Sequence, residues 1–533
     1  MVEILIIILI ALILSNGLAA RFRLVGPIVL IVVGSIVSFI PHLPRVEVES
    51  EIILSVFLPL LLYWEALNIS LRGIKRALRG IVISGTLMVV FVAVSVGLVG
   101  QWIGFTLGTA LLIGAAVGPT DATAVSALGR GISRGQMVVL RAESLINDGT
   151  ALVVFALALE YAGEHQQITA SHAIVTFLIS FVGGAAIGLV GGWIIARVGA
   201  PIQNAMLGNL FRILTPLLIF FLAELIEASG VLAVVVCGLY MAQVGPRFQS
   251  TGSRYLARPF WGITTYILNS FLFFYVGYLL PTIARGLSSD TLTHAVWGTV
   301  VLYFTMLLAR MAFMEITIRG IRLLDRRPQQ KKRRTTFRSR LVSDLAGFRG
   351  GISLAVALSI PITLADGEAF PFRDVIIFVT SGIVILSLVV QGALLPLAVQ
   401  ALERAPAPNY AEDPEAEDRE VRAAMIDSMR DVYKDFDQIV VRHNVSPTAA
   451  EKVKAGWEKQ RDRWLKMDPD NREEKVSQAK EEMKELQLAL VRERRQHMIR
   501  YRDEGKIDDE ALIRLLDITD MDEIRLTGPV EME

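Results

Sequence analysis

Up to about residue 400 the chain alternates long apolar runs with short polar or Gly/Pro breaks, and beyond that point its character changes. An α-helix needs about 20 mainly apolar residues to cross a bilayer. Suitable runs lie near 2–20, 24–40, 51–69, 80–102, 105–128, 144–162, 172–198, 210–228, 230–244, 260–281, 293–317, 343–362 and 373–400. The pattern therefore predicts thirteen spans in an all-α polytopic membrane domain over residues 1–403. The first run carries Glu3 and no Lys or Arg ahead of its apolar core. A signal peptide opens on a basic stretch, so residues 1–20 are read as the first span.

From residue 404 the pattern is that of a mainly helical tail, 404–533, opening on an acidic linker from Glu412 to Glu420. Val453, Trp457 and Trp464 form one helical stretch, and Ala479, Met483, Leu486 and Leu490 form another at spacings of four, three and four. Asp468-Pro-Asp-Asn471 separates them, Gly505 ends a third, and Asp508 or Asp509 is placed to cap a short last helix. A small regulatory unit and a solvated, partly disordered tail both fit this composition.

Charge adds orientation. The chain is 53% hydrophobic with a net charge of +1, but its basic residues are segregated. Arg21 and Arg23 follow the first span, Arg72, Lys75, Arg76 and Arg79 the third, Arg130, Arg134 and Arg141 the fifth, and Arg247, Arg254 and Arg258 the ninth. A denser cluster from Arg319 to Arg340 follows the eleventh, while the intervening loops hold little beyond Arg45 and Arg285. The positive-inside rule then puts the N-terminus outside and the tail in the cytoplasm. The cluster at 319–340 serves that topology, and it also fits anionic lipid headgroups. The single cysteine, Cys237, lies in an apolar run and reads as a buried side chain without disulfide or metal role. No cofactor and no nucleic-acid partner are expected.

Few polar residues interrupt the spans, and they fall in order. Glu65 lies in the third, Gly118-Pro-Thr-Asp-Ala-Thr123 in the fifth, Glu143, Ser144, Asn147 and Asp148 in the sixth, and Asp344 with Gly347-Phe-Arg-Gly-Gly-Ile-Ser353 in the twelfth. An ionisable group at membrane depth costs at least about 2.5–3.5 kcal/mol, so Asp148 points to ion binding or proton relay. Residues four apart share a helix face, which places Ser144 beside Asp148 and Glu143 beside Asn147. A hydroxyl and a carboxylate make a hard-oxygen site for a small monovalent cation. No histidine lies well inside a span, so a membrane proton carrier here is a carboxylate. Pro119 and Gly350-Gly351 mark two spans for a mid-membrane break. Seven spans apart, they run in opposite directions, as corresponding members of an inverted repeat do. Such paired breaks point to a transporter's binding site.

The motifs Glu-Ser-Leu-Ile-Asn-Asp-Gly at 143–149, Gly-Pro-Thr-Asp-Ala at 118–122 and Gly-Phe-Arg-Gly-Gly-Ile-Ser at 347–353 resemble the signatures of the NhaP and NHE type sodium/proton exchangers. The resemblance implies thirteen helices in two inverted six-helix repeats, with broken helices 5 and 12 crossing. It further implies a core of spans 4–6 and 11–13, a dimerisation domain of spans 1–3 and 7–10, and a homodimer working by elevator-type alternating access. Asp148 then binds the cation or the proton, Asn147 orients the site, and Ser144 with Thr120 supplies further Na+ ligands. Asp121 is a further oxygen donor, and Glu65 contributes through water. Glu143 and Arg349 form a structural ion pair. Some members have Pro after the Thr-Asp pair, where this chain has Ala122.

Proton and cation compete for one carboxylate, because a bound cation favours its charged form. With the neutral Asn147 as neighbour, Asp148 predicts electroneutral exchange of one proton per cation. Alternative roles stay open for several residues: Thr120 and Ser144 also suit bonding to their own helix, and Asp121 suits the dipoles of the broken ends. A passive channel is the weaker functional alternative, since paired broken helices suit alternating access. An intramembrane aspartyl protease lacks its Gly-x-Gly-Asp pattern. Na+, Li+ and K+ are not distinguished.

Overall fold

A computed structural model describes residues 2–22, 25–40, 48–69, 80–121, 134–164, 170–324, 337–364, 367–403, 430–465 and 474–504, with scattered positions besides. The expected acidic linker, Ala122, Asp468-Pro-Asp-Asn471, Gly505, Asp508, Asp509 and the basic run 325–336 lie outside the described residues. The chain divides into two compact units, Met1–Ala411 and Glu412–Glu533.

Among the described residues the first unit is helical apart from short connections and one isolated bridge, Thr363 to Ala369. Its helices are α1 (Val2–Phe22), α2 (Gly26–Val37), α3 (Ser50–Leu67), α4 (Gly80–Trp102), α5 (Leu107–Ala116), α6 (Arg134–Glu164) and α7 (Ala170–Gly199). They continue as α8 (Ala205–Glu224), α9 (Gly230–Val244), α10 (Thr251–Gly286), α11 (Ser289–Leu324), α12 (Phe337–Leu345), α13 (Gly351–Leu358) and α14, residues 373–403. Among the described residues nine helices are long and apolar enough to cross a membrane, and the unit is a multi-pass membrane domain. Some run past the apolar windows: α6 begins at Arg134, ten residues before the expected 144, because helical hydrogen bonding continues through the polar turn that hydropathy excludes.

Two packing neighbourhoods surround α6. On one side α4 packs on α5, α5 on α6, and α11 on α4 and α14. On the other, α9 packs on α3 and α7, and α2 on α10. Small residues permit the closest approaches. A Cβ on Gly34 would overlap the Phe274 carbonyl, and one on Gly277 the Ile31 carbonyl, so α2 and α10 meet backbone to backbone. Pro259 and Pro281 are accommodated near the ends of α10.

The breaks are where the prolines and glycines stand. α5 stops at Ala116 and residues 117–121 are non-helical, while the backbone between α12 and α13 is irregular from Gly347 to Gly350. α3, α4 and α14 each contain a π-helical segment, at Ile53–Phe57, Ile83–Met88 and Ser387–Gln391. A π-turn disturbs the regular backbone pairing, and such turns recur at functional sites.

The second unit contains α15 (Phe436–Arg442), α16 (Pro447–Leu465) and α17 (Glu474–Asp503). Tyr433 bonds Glu458 at 2.7 Å, and Arg492 and Arg495 hold Glu523, whose carboxyl they keep below its usual range. The helical periodicity is realised as helices, but Val453 and Trp457 on α16 and Leu486 and Leu490 on α17 are exposed on this unit. The helices form, and these apolar positions lack cover within it.

Candidate functional site

The two breaks meet. Pro119 has no N–H, so the chain after α5 leaves the helix and its carbonyls turn sideways. The Asp121 N–H then donates to the Phe348 carbonyl at 2.8 Å, and Arg349 Nε donates to the Val117 carbonyl. Arg349 Nη1 donates to the Gly347 carbonyl at 2.6 Å, and its backbone N–H to Ser387 Oγ at 3.0 Å. The Ser387 hydroxyl in turn donates to Gln391 Oε1 within the π-segment of α14. Arg349, 1% exposed, thus places its charge where α5 and α12 both end, against the negative ends of two helix dipoles.

Asp121 answers it at the opposite pole. A Cβ on Gly350, the residue before α13, would overlap Asp121 Oδ2. The carboxylate therefore sits at the N-terminus of α13, where negative charge is favoured. Gly350→Ala is expected to force this crossing apart at a cost of about 1–3 kcal/mol and to remove most transport, as thermal unfolding and flux assays would show.

Facing the crossing is α6. Ser144 Oγ donates to the Thr120 carbonyl, reaching across to the interrupted segment instead of back to its own helix. The Asn147 amide stands 3.0 Å from Thr120 Oγ1. In the orientation that satisfies both ends, its oxygen accepts from that hydroxyl and its nitrogen faces the carbonyls of Ser84, Gly85 and Glu143 at 3.2–3.3 Å. Ser84 and Gly85 belong to the π-segment of α4, whose backbone thereby holds Asn147.

Asp148 follows with 0% exposure, and neither of its oxygens has a hydrogen-bond partner. Glu65 and Asp121 lie within its electrostatic reach, as does Arg349, and Glu65 in turn lies near Arg141. Ser144 and Asn147 thus both bond Thr120 at the break, through its carbonyl and its hydroxyl, with Asp148 one turn from Ser144 on α6. Glu65 is half-buried on α3. The donor set is hard oxygen throughout. It suits a proton or a small monovalent cation, and among the described residues no three His, Cys, Asp or Glu side chains converge on a metal position.

The expected Glu143–Arg349 pair does not form. Glu143 Oε1 instead accepts from Arg310 Nη2 at 3.0 Å, both residues being almost fully buried. Arg349 bonds to carbonyls of the two breaks, while Arg310 reaches Glu143 from α11. A Cβ on Gly347 would stand 2.7 Å from Arg310 Cζ, so the guanidinium lies flat on that glycine and links α6, α11 and the α12 break. Arg310 also approaches the Ser343 carbonyl at 3.4 Å and lies within electrostatic reach of Asp344. Sequence reasoning missed Arg310, although an arginine inside the apolar run 300–313 carries the same signal as Asp148.

The family model described as the transmembrane sodium/hydrogen exchanger matches residues 5–401. An uncharacterized Na(+)/H(+) exchanger of Mycobacterium tuberculosis is 32% identical, over 98% of this chain and 96% of its own length. A sodium, potassium, lithium and rubidium/H(+) antiporter of Bacillus pumilus is 30% identical, over 74% of this chain and 60% of that protein. The sodium proton antiporter MjNhaP1 from Methanocaldococcus jannaschii shares the fold, with a TM-score of 0.60 and 16% identity, over 75% of this chain and 98% of that one. The chain belongs to the sodium/hydrogen exchanger family.

Proposed function

We propose that this protein exchanges Na+ for H+ across the membrane with 1:1 stoichiometry, a proton or a cation occupying Asp148 in turn. One observation carries the reading: a carboxylate without exposed surface, both oxygens left unpaired by the protein, lies one turn from a hydroxyl fixed to an interrupted helix. Isolated, that charge is costly; a proton or a cation removes the cost. Ser144 and Thr120 complete the Na+ site, Asn147 orients it, and Asp121 and Glu65 contribute at its edge. Only the occupied site crosses cheaply, so the two fluxes are coupled. Asp121 serves the α13 terminus and Glu65 lies near Arg141, leaving Asp148 as the single exchanging acid.

In this reading thirteen spans form two inverted six-helix repeats, with α12 and α13 together making one interrupted span. The core of α4–α6 and α11–α14 moves as an elevator against α1–α3 and α7–α10, which form the homodimer. The packing on either side of α6 supports that division. The N-terminus lies outside and the tail in the cytoplasm of a bacterial inner membrane, where the exchanger serves pH homeostasis without a cofactor and the tail is regulatory. K+ or Li+ is the alternative cargo, favoured by the Bacillus relative, a sodium, potassium, lithium and rubidium/H(+) antiporter.

The test uses proteoliposomes with an acid interior. External Na+, Li+ or K+ is added in turn, and collapse of the pH gradient is recorded with the membrane potential clamped at several values. Na+ should collapse the gradient saturably and at a rate independent of potential. Competition also sets a sign: as pH rises, the apparent KM for the cation falls, by up to about tenfold per pH unit while the protonated form dominates. A transport current, or an apparent KM indifferent to pH, would contradict the reading.

A further inference from the structure

Among the described residues three arginines are deeply buried in the membrane unit: Arg310, Arg349 and Arg212. Arg310 has Glu143, and Arg349 has the carbonyls of Val117 and Gly347. Arg212, on α8, is 8% exposed, and its Nη2 is buried without a hydrogen-bond partner. No acid pairs with it among the described residues; the groups in its electrostatic reach are Tyr63 and a second arginine, Arg254. A buried guanidinium with another cation in its electrostatic reach is the reverse of the usual arrangement, in which buried charges are paired.

The surroundings share that charge. Asn209, three residues before Arg212, donates through Nδ2 to the Ser253 carbonyl at 3.2 Å and so ties α8 to α10 beside Arg254. Its Oδ1 is buried and unpaired. Arg254 is exposed and bonds the Gln249 carbonyl at 2.5 Å, and Arg247 and Arg258 are exposed nearby in the chain. An arginine fork matches phosphate oxygens in two-point geometry, and basic pockets between membrane helices accept anionic headgroups.

We infer that Arg212 and Arg254 form a binding site for an anionic phosphate group, with Asn209 Oδ1 placed to accept from a hydroxyl on the same ligand. The phosphate belongs to a lipid headgroup or to a free anion. Bound there, it bridges α8 and α10 beside Tyr63 on α3, the helix that carries Glu65.

The test follows the unfolding midpoint of the full chain, washed free of lipid in detergent. The additions are dioleoylphosphatidylglycerol, dioleoylglycerol with the same chains and no phosphate, and Tris phosphate against Tris chloride at matched ionic strength. A phosphate source should raise the midpoint by roughly 2–5 °C and dioleoylglycerol should not. A rise with Tris phosphate assigns a free anion; a rise with the phospholipid alone assigns a headgroup. Arg212→Gln and Arg254→Gln should each remove at least half of the shift, and Arg254, being exposed, keeps the test valid if Arg212→Gln fails to fold. A shift absent from both phosphate sources, matched by dioleoylglycerol, or kept in full by Arg254→Gln overturns the site.

Discussion

Asp148→Asn is expected to abolish cation-driven proton movement, leaving vesicles at the rate of protein-free controls, while the protein stays folded. The substitution keeps shape and removes the group proposed to exchange a proton for a cation. No hydrogen bond from the protein is lost, since neither Asp148 oxygen has one. A structural residue would behave in the opposite way. Buried charges that hold helices together are paired, and removing one costs stability. Here the unfolding midpoint should be unchanged or higher, because an isolated carboxylate at membrane depth is itself destabilising. Activity and stability are therefore expected to part, and a fall in both together would make Asp148 a scaffold residue.

Arg310→Met should show the converse. It leaves Glu143 buried without its 3.0 Å partner, and breaking such a pair costs about 3–5 kcal/mol. Thermal unfolding of the purified protein should register this as a large drop. Pairing the change with Glu143→Gln removes the orphaned charge and should restore most of the loss, since a buried pair replaced as a unit is often close to neutral. Arg349→Met should not be rescued by Glu143→Gln, because Arg349 bonds the carbonyls of Val117 and Gly347. Equal rescue of both arginine variants would argue against the assignment of Glu143 to Arg310.

Much of this was legible from residue order. Pro119 and Gly350-Gly351 marked the interruptions, and one of the two roles open to Asp121, compensating a broken helix end, is the one its position beside Gly350 supports. The four-residue spacing placed Ser144 one turn from Asp148. What could not be read was partner choice between distant helices. Arg349 and Arg310 are both buried cations, and periodicity carries no information about which guanidinium reaches Glu143 from another span. The π-segments were equally hidden, although those on α4 and α14 orient the carbonyls facing Asn147 and the hydroxyl on Arg349. On the tail, helical spacing identified α16 and α17, but spacing alone does not say whether an apolar position is covered, and Leu486 and Leu490 are exposed.

The most direct measurement counts protons. Na+ is added to purified protein in weakly buffered detergent solution, bound Na+ is determined, and the released protons are followed with a pH dye. Competition for one carboxylate predicts about one proton released per bound Na+ at a pH where the site is protonated, and no release from Asp148→Asn. Sodium binding without proton release, or equal release from the Asn variant, would contradict exchange at Asp148.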